Sequence, residues 1–264
     1  MPFVTIEGRR IEYQKIDAAI PGRPVLVFLH EGLGSIALWR DFPARVAAAT
    51  QCAALIYSRY GYGGSERLAA PRGVRYMHDE ALETLPALLR ALDVEDPLLI
   101  GHSDGASIAL IHAAARRWPV RGLVLEAPHV FVEDLTVSSI AEAKEAWQTT
   151  DLRRRLSRYH EDVDGAFTGW NDIWLHPDFR AWNIEAELPK IACPVMVIQG
   201  ADDEYGTPAQ LRSIEEKVAG PVELLLLPDC KHSPHRDQPE AVLAAISRFV
   251  ISYGTTTSGA AGSA

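Results

Sequence analysis

The chain has 264 residues, 47% hydrophobic and 23% charged, with a net charge of −9. That length suits one large α/β domain or two small ones and is ample for a real core. The acidic balance argues against a nucleic-acid partner, because phosphate binding needs clustered Lys and Arg, and no window approaches the ~18 apolar residues of a membrane span.

The opening Met1-Pro2-Phe3-Val4 lacks a charged, apolar leader pattern, so no signal peptide is expected. Cys52, Cys193 and Cys230 are odd in number, far apart and without zinc-site spacing. No disulfide framework is expected, which fits a reducing cytoplasm. The elements then follow in order. Phe3–Ile6 and Ile11–Ile16, joined through Glu7-Gly8-Arg9-Arg10, predict a hairpin. Residues 24–30 predict a strand running into His30-Glu31-Gly32-Leu33-Gly34. Ala53–Tyr57 predicts another, followed by Ser58 and Arg59-Tyr60-Gly61-Tyr62-Gly63-Gly64-Ser65.

Residues 76–92 place Leu82, Leu85, Leu88, Leu89 and Leu92 at helical spacing, with Pro86 expected to kink the helix. A strand at 98–101 leads into a helix at 104–117, and a strand at 122–125 follows. Residues 131–189 break the rhythm: they are helical by composition, offer no comparable strand, and hold Trp147, Trp170, Trp174 and Trp182. This segment is expected to be a helical cap inserted over a pocket, with some of the aromatics lining it, the alternative being packing onto the core sheet. The short run Arg153-Arg154-Arg155, among acidic neighbours, reads as a solvated helix face. Val195–Gly200 and Val222–Leu227 are the last strands, and residues 208–218 and 239–250 the last helices. The tail, residues 254–264, contains only Gly, Ala, Ser and Thr and is expected to be disordered. Continuous apolar runs such as Val25-Leu26-Val27-Phe28-Leu29, alternating with helices, predict a mostly parallel sheet covered on both faces.

Gly101-His102-Ser103-Asp104-Gly105 is the most informative segment. Chance yields Gly-x-Ser-x-Gly in roughly one chain of this length in ten. Here it follows a buried-strand run and opens a helix, as a nucleophile elbow requires. Glycine at both flanks lets neighbouring backbones close in on a strained turn. A serine hydroxyl needs a base to take its proton. His232 follows the last strand and precedes the last helix, with His235 as its rival, while His30 and His102 read as structural. The orienting acid should leave the preceding strand, which selects Asp203, with Asp202 as alternative. The order Ser103, Asp203, His232 matches neither protease order.

Together these motifs resemble the α/β-hydrolase superfamily from about residue 3 to 252, specifically the capped small esterase and carbon–carbon hydrolase type. The resemblance implies an oxyanion hole from the N–H of Asp104 and one in the loop after His30, at Gly32 or alternatively Leu33. The family's usual His-Gly there is His30-Glu31, and Ser58 stands where Asp usually opens the fourth-strand motif. The serine counts against the fold's epoxide hydrolases and haloalkane dehalogenases, which use Asp as nucleophile. Ester, thioester, lactone or amide hydrolysis remains, with carbon–carbon hydrolysis of ring-cleavage diketones, a ligand receptor that keeps the triad, and cofactor-free lyase chemistry as alternatives.

Candidate substrate contacts are Glu31, Leu33, His129, Trp170 and Trp174. No cofactor is implied, since phosphate-loop, dinucleotide and metal spacings are missing; His129 and Glu133 alone make no metal site. The expected partner is a small molecule, with neither nucleic acid nor membrane, and a homodimer is left open. Glu31 and Asp104 put two carboxylates beside the oxyanion position. At ~5 Å and an effective dielectric near 20, one facing charge would cost roughly 3 kcal/mol. Unless an arginine compensates, Arg59 being the candidate, the mouth is acidic and neutral or cationic esters are expected over anionic ones.

Overall fold

A computed structural model describes residues 1–253, and the tail expected to be disordered lies outside the described residues. Strands β1 (Phe3–Ile6), β2 (Arg9–Ile16), β3 (Val25–Leu29), β4 (Ala53–Tyr57), β5 (Leu98–His102), β6 (Gly122–Glu126), β7 (Val195–Gly200) and β8 (Val222–Leu227) form one sheet. Their order is β1-β2-β4-β3-β5-β6-β7-β8. β2 pairs antiparallel with β1 and β4, and every later pairing is parallel. The hairpin turn is tighter than expected. Glu7 (φ 51°) and Gly8 (φ 80°) make a two-residue connection, so Arg9 and Arg10 join β2.

Helices α1 (Phe42–Thr50), α2 (Tyr76–Asp79), α3 (Leu85–Ala91), α4 (Asp104–Ala115), α5 (Asp134–Thr149), α6 (Leu152–Leu156), α7 (Val163–Trp174), α8 (Ala209–Lys217), α9 (Pro234–Asp237) and α10 (Pro239–Tyr253) complete the chain, with short 3₁₀ turns between them. Alternate strand residues feed two cores. Val27, Leu29, Leu99, Leu123, Leu125, Val195 and Val197 meet α3 and α4 on one face. Leu26, Phe28, Leu98, Ile100, Val124, Met196 and Ile198 meet α1 and α10 on the other. Period-two geometry with both faces covered is why these strands read as unbroken apolar runs.

Pro86 leaves the helix around it nearly continuous. A π turn at Glu80–Thr84 separates α2 from α3. The wider turn accommodates a ring that lacks an N–H and would strike the carbonyl four residues back. Between β6 and β7 the chain supplies α5, α6, α7 and 3₁₀ turns at Pro177–Ala181 and Glu185–Lys190, and no strand of the sheet. The ends of this segment are pinned by the bridge Phe131↔Asn183 and by the Ile184 N–H donating to the Val130 carbonyl (2.8 Å). Arg153, Arg154 and Arg155 on α6 are exposed and pair with Asp164 and Asp151. Among the described residues no helix is long and apolar enough to cross a membrane.

Candidate active site

From β3 the chain turns one way to β4 and then crosses to β5 on the other side. A crevice opens outside the carboxyl ends of strands at such a switch. Ser103 stands there, between β5 and α4, at φ 52° and ψ −116°. A non-glycine residue at positive φ is held by its surroundings at a cost of about 1–3 kcal/mol. Here the Ser103 N–H donates to the Glu126 carbonyl (2.8 Å). A methyl group on Gly105 would overlap the Leu29 carbonyl, and one on Gly101 would overlap Gly105 and Ala106, so both flanks tolerate only glycine.

Asp203 leaves the end of β7, buried, while Asp202 beside it is exposed. Burial opposes ionisation of Asp203, but His232 beside it holds the carboxyl below its ordinary value. Ionised, it accepts from His232 Nδ1–H (2.8 Å) and from the Tyr205 N–H (2.8 Å). His235, the rival base, is turned away. Its Nδ1 lies 2.9 Å from Glu126 Oε2, which also accepts the His235 N–H at 3.0 Å. Burial opposes the charge on Glu126 too, and His235 overcomes it. His102 Nε2 donates to the His232 carbonyl (2.7 Å), so β5 and β6 both grip the loop carrying His232.

Ser103, His232, Gly32, Glu31, Leu33, His129, Trp170 and Trp174 line one pocket of about 120 Å³. Trp170 covers Gly32 so closely that a methyl there would overlap the indole. The Asp104 side chain is elsewhere: fully buried, it accepts from Tyr76 Oη (2.8 Å) and Trp174 Nε1 (3.2 Å) and faces Arg59 Nη2 (3.5 Å). Arg59 also donates to the Glu31 carbonyl (2.9 Å). The Glu31 carboxylate sits between His102 Nδ1 and Arg236 Nη2, each at 3.4 Å. The His102 contact is too poorly aligned for a hydrogen bond and becomes an ion pair when the imidazole is protonated. Burial resists the Glu31 charge, but His102 and Arg236 keep the carboxyl well below its usual range. The exception allowed for an acidic mouth applies: Arg59, the arginine expected to compensate, faces Asp104, Arg236 faces Glu31, and only Glu31 lines the pocket.

Thr136, Ile140 and Tyr205 complete the lining. Thr136 and Ile140 are four apart on α5, so they share one helix face. Tyr205 is two residues past Asp203 and rests on His232, ring centroids 4.7 Å apart. Trp147 instead stacks on Phe167 and Trp182 on Phe179. Glu133 is far from a metal-ligating role with His129, since it accepts from Thr207 and Gln210. Among the described residues no three His, Cys, Asp or Glu side chains gather as a metal site.

Burial makes this fold acid-sensitive. It pushes His129 down to about 4 and His30 well below its ordinary 6.5, and it lowers His78, His112 and His160. Below about pH 6.5 the unfolded chain therefore binds protons that the folded chain refuses, and stability falls with pH. His102, raised by Glu31 against its burial, runs the other way. At pH 5 His129 alone contributes a loss of about 2 kcal/mol. Melting temperatures at constant ionic strength should fall from pH 7.5 to pH 5; a flat or rising profile contradicts the burial of neutral imidazoles.

The family model described as alpha/beta hydrolase family matches residues 26–245. A 2-succinyl-6-hydroxy-2,4-cyclohexadiene-1-carboxylate synthase of Klebsiella pneumoniae subsp. pneumoniae is 25% identical, covering 90% of this chain and 98% of its own. A haloalkane dehalogenase of Sphingobium indicum is 33% identical, covering 94% of each. Among solved structures, a proline iminopeptidase of Mycobacterium smegmatis matches with a TM-score of 0.77 at 18% identity, over 96% of this chain and 98% of that one. At that identity the likeness speaks to the fold.

Proposed function

From the premise that the chain belongs to the alpha/beta hydrolase family and is a hydrolase, we propose that it cleaves carboxylic esters, thioesters or lactones with small acyl groups through a Ser103 acyl-enzyme. One observation carries the reading: a serine at φ 52° opens on the same pocket as a histidine whose Nδ1 is bonded to a buried carboxylate. His232 takes the Ser103 proton as Oγ attacks the carbonyl. Asp203 fixes the tautomer that leaves Nε2 free and stabilises the imidazolium that forms. The N–H groups of Asp104 and Gly32 receive the oxyanion. Asp104 is the first residue of α4, so its N–H has no partner one turn back within the helix. His232 returns the proton to the leaving alcohol, and water, activated by the same base, releases the acid.

The pocket is slightly smaller than a ~150 Å³ cavity that accepts benzene, which favours acyl groups up to about one ring or four carbons. Its lining holds neither Lys nor Arg. An anionic acyl group would lose its hydration there without meeting a cation, which disfavours it. This weighs against polycarboxylate substrates. A fluorophosphonate should label Ser103, located by peptide mass. In a p-nitrophenyl ester series kcat/KM should peak at or below butyrate and be at least about tenfold lower for octanoate. An unlabelled Ser103 with no ester turnover would end the reading. Labelling with negligible turnover would favour a ligand receptor.

A further inference from the structure

His129 is the polar group of the pocket that the chemistry leaves unused. It follows β6 through Ala127, which holds φ 46° with its N–H donating to the Ile198 carbonyl (2.8 Å). A non-glycine residue in that region marks a turn the fold maintains against strain. The strained turn delivers His129 into the pocket, and Ser107 Oγ fixes it by donating to its carbonyl (2.6 Å). The ring lies edge-on to Trp174 (centroids 5.2 Å) and beside His232 (5.7 Å). It is only 2% exposed, yet its Nδ1 meets no hydrogen-bond partner among the described residues.

Three other polar side chains of the lining are engaged. Thr136 donates to the Tyr205 carbonyl (2.5 Å), Glu31 faces His102 and Arg236, and His232 is held by Asp203. Leu33, Ile140, Trp170 and Trp174 offer apolar surface. A buried imidazole without a partner is costly, and a ligand that supplies the partner recovers that cost. Sites built this way discriminate strongly, because the analogue lacking the group leaves the protein atom unpaired. Burial, with His232 adding to it, keeps the ring neutral near neutral pH, so one nitrogen donates and the other accepts. That pairing suits an uncharged oxygen. Because His129 shares its pocket with Ser103 and His232, such an oxygen would belong to the acyl group, close to the carbonyl that Ser103 attacks.

We propose that His129 is the specificity-determining residue of this pocket and selects acyl groups bearing a hydroxyl or keto oxygen close to the scissile carbonyl. The proposal rests on the serine-hydrolase reading above. The test compares ethyl butyrate, both enantiomers of ethyl 3-hydroxybutyrate and ethyl 3-oxobutyrate. Their kcat/KM values are normalised to each ester's alkaline hydrolysis rate and measured in wild type, His129→Phe and His129→Leu. Wild type should prefer at least one oxygenated ester by about tenfold or more, and the preference should collapse toward one in both variants. The melting temperature of His129→Leu should equal or exceed that of wild type, since an apolar side chain there leaves nothing unpaired.

No preference in wild type, a preference that survives both substitutions, or a loss of more than about 5 °C in both would overturn the assignment, the last by making His129 a structural core residue. Fluorophosphonate labelling accompanies the assay. Labelled Ser103 without the preference removes this proposal alone. Absent labelling and turnover remove the serine-hydrolase reading and this proposal with it.

Discussion

Ser103→Ala should fold as wild type does and lose about 10⁴-fold or more in kcat on p-nitrophenyl butyrate. On the proposed acyl-enzyme route the loss is that large because the hydroxyl carries the acyl group. The remaining background comes from binding and the N–H groups around the carbonyl. Folding should survive because Ala127 already occupies positive φ nearby, and because the glycine flanks rather than the serine side chain allow the tight approach of β3 and α4. Single-turnover mass spectrometry should show an acyl adduct in wild type and none in the variant. Wild-type-like turnover by Ser103→Ala would dispose of the covalent mechanism.

The second large effect is on stability. Arg59→Leu should cost about 3–5 kcal/mol, the typical loss when one partner of a buried ion pair is removed. In a chain of this size that lowers the melting temperature by about 10 °C. Asp104 would keep Tyr76 and Trp174 as donors but, fully buried, lose the cation that faces it. Burial opposes the Arg59 charge, and Tyr62, Asp104 and Glu80 hold its pKa above the ordinary value. Adding Asp104→Asn to Arg59→Leu should recover part of the loss in urea denaturation, since the stranded charge is then gone. A cost below about 1 kcal/mol for Arg59→Leu would mean the pair contributes little. Arg59 also holds the Glu31 carbonyl, so the variant should lower kcat/KM as well as stability.

The strands were legible because burial on both faces writes a continuous apolar run, and the elbow because its glycines answer to backbone contacts two residues either side. Boundaries failed where a polar residue hides inside the structure. The sequence pattern ends the strand at Leu125, yet Glu126 is the last residue of β6 and buried, where His235 from 109 positions away pairs with it. The same limit hid the fate of the two carboxylates. Nothing local announces that Asp104 meets Tyr76 and Arg59, or that Glu31 meets Arg236; those pairings exist only once the sheet brings its strand ends together. Thr136 and Ile140 carried a readable four-residue spacing, but which face of α5 turns toward Ser103 depends on packing against α7.

The segment between β6 and β7 leaves and returns at one pinned point, and β6 pairs with β7 as if it were absent. Closing a loop between fixed ends costs only about 0.6 kcal/mol more for each doubling of its length. Its length and sequence are thus nearly decoupled from the register of the sheet beneath. Descendants of this chain could lengthen or shorten its outer stretches at small thermodynamic expense, provided a donor is kept for the buried Asp104 where Trp174 now stands. Trp170 could change with it, while Ser103, Asp203 and His232 would stay. Variation in what is accepted can therefore accumulate faster than variation in what is done to it, and chimaeras exchanged between Phe131 and Asn183 are the natural unit for redirecting this scaffold.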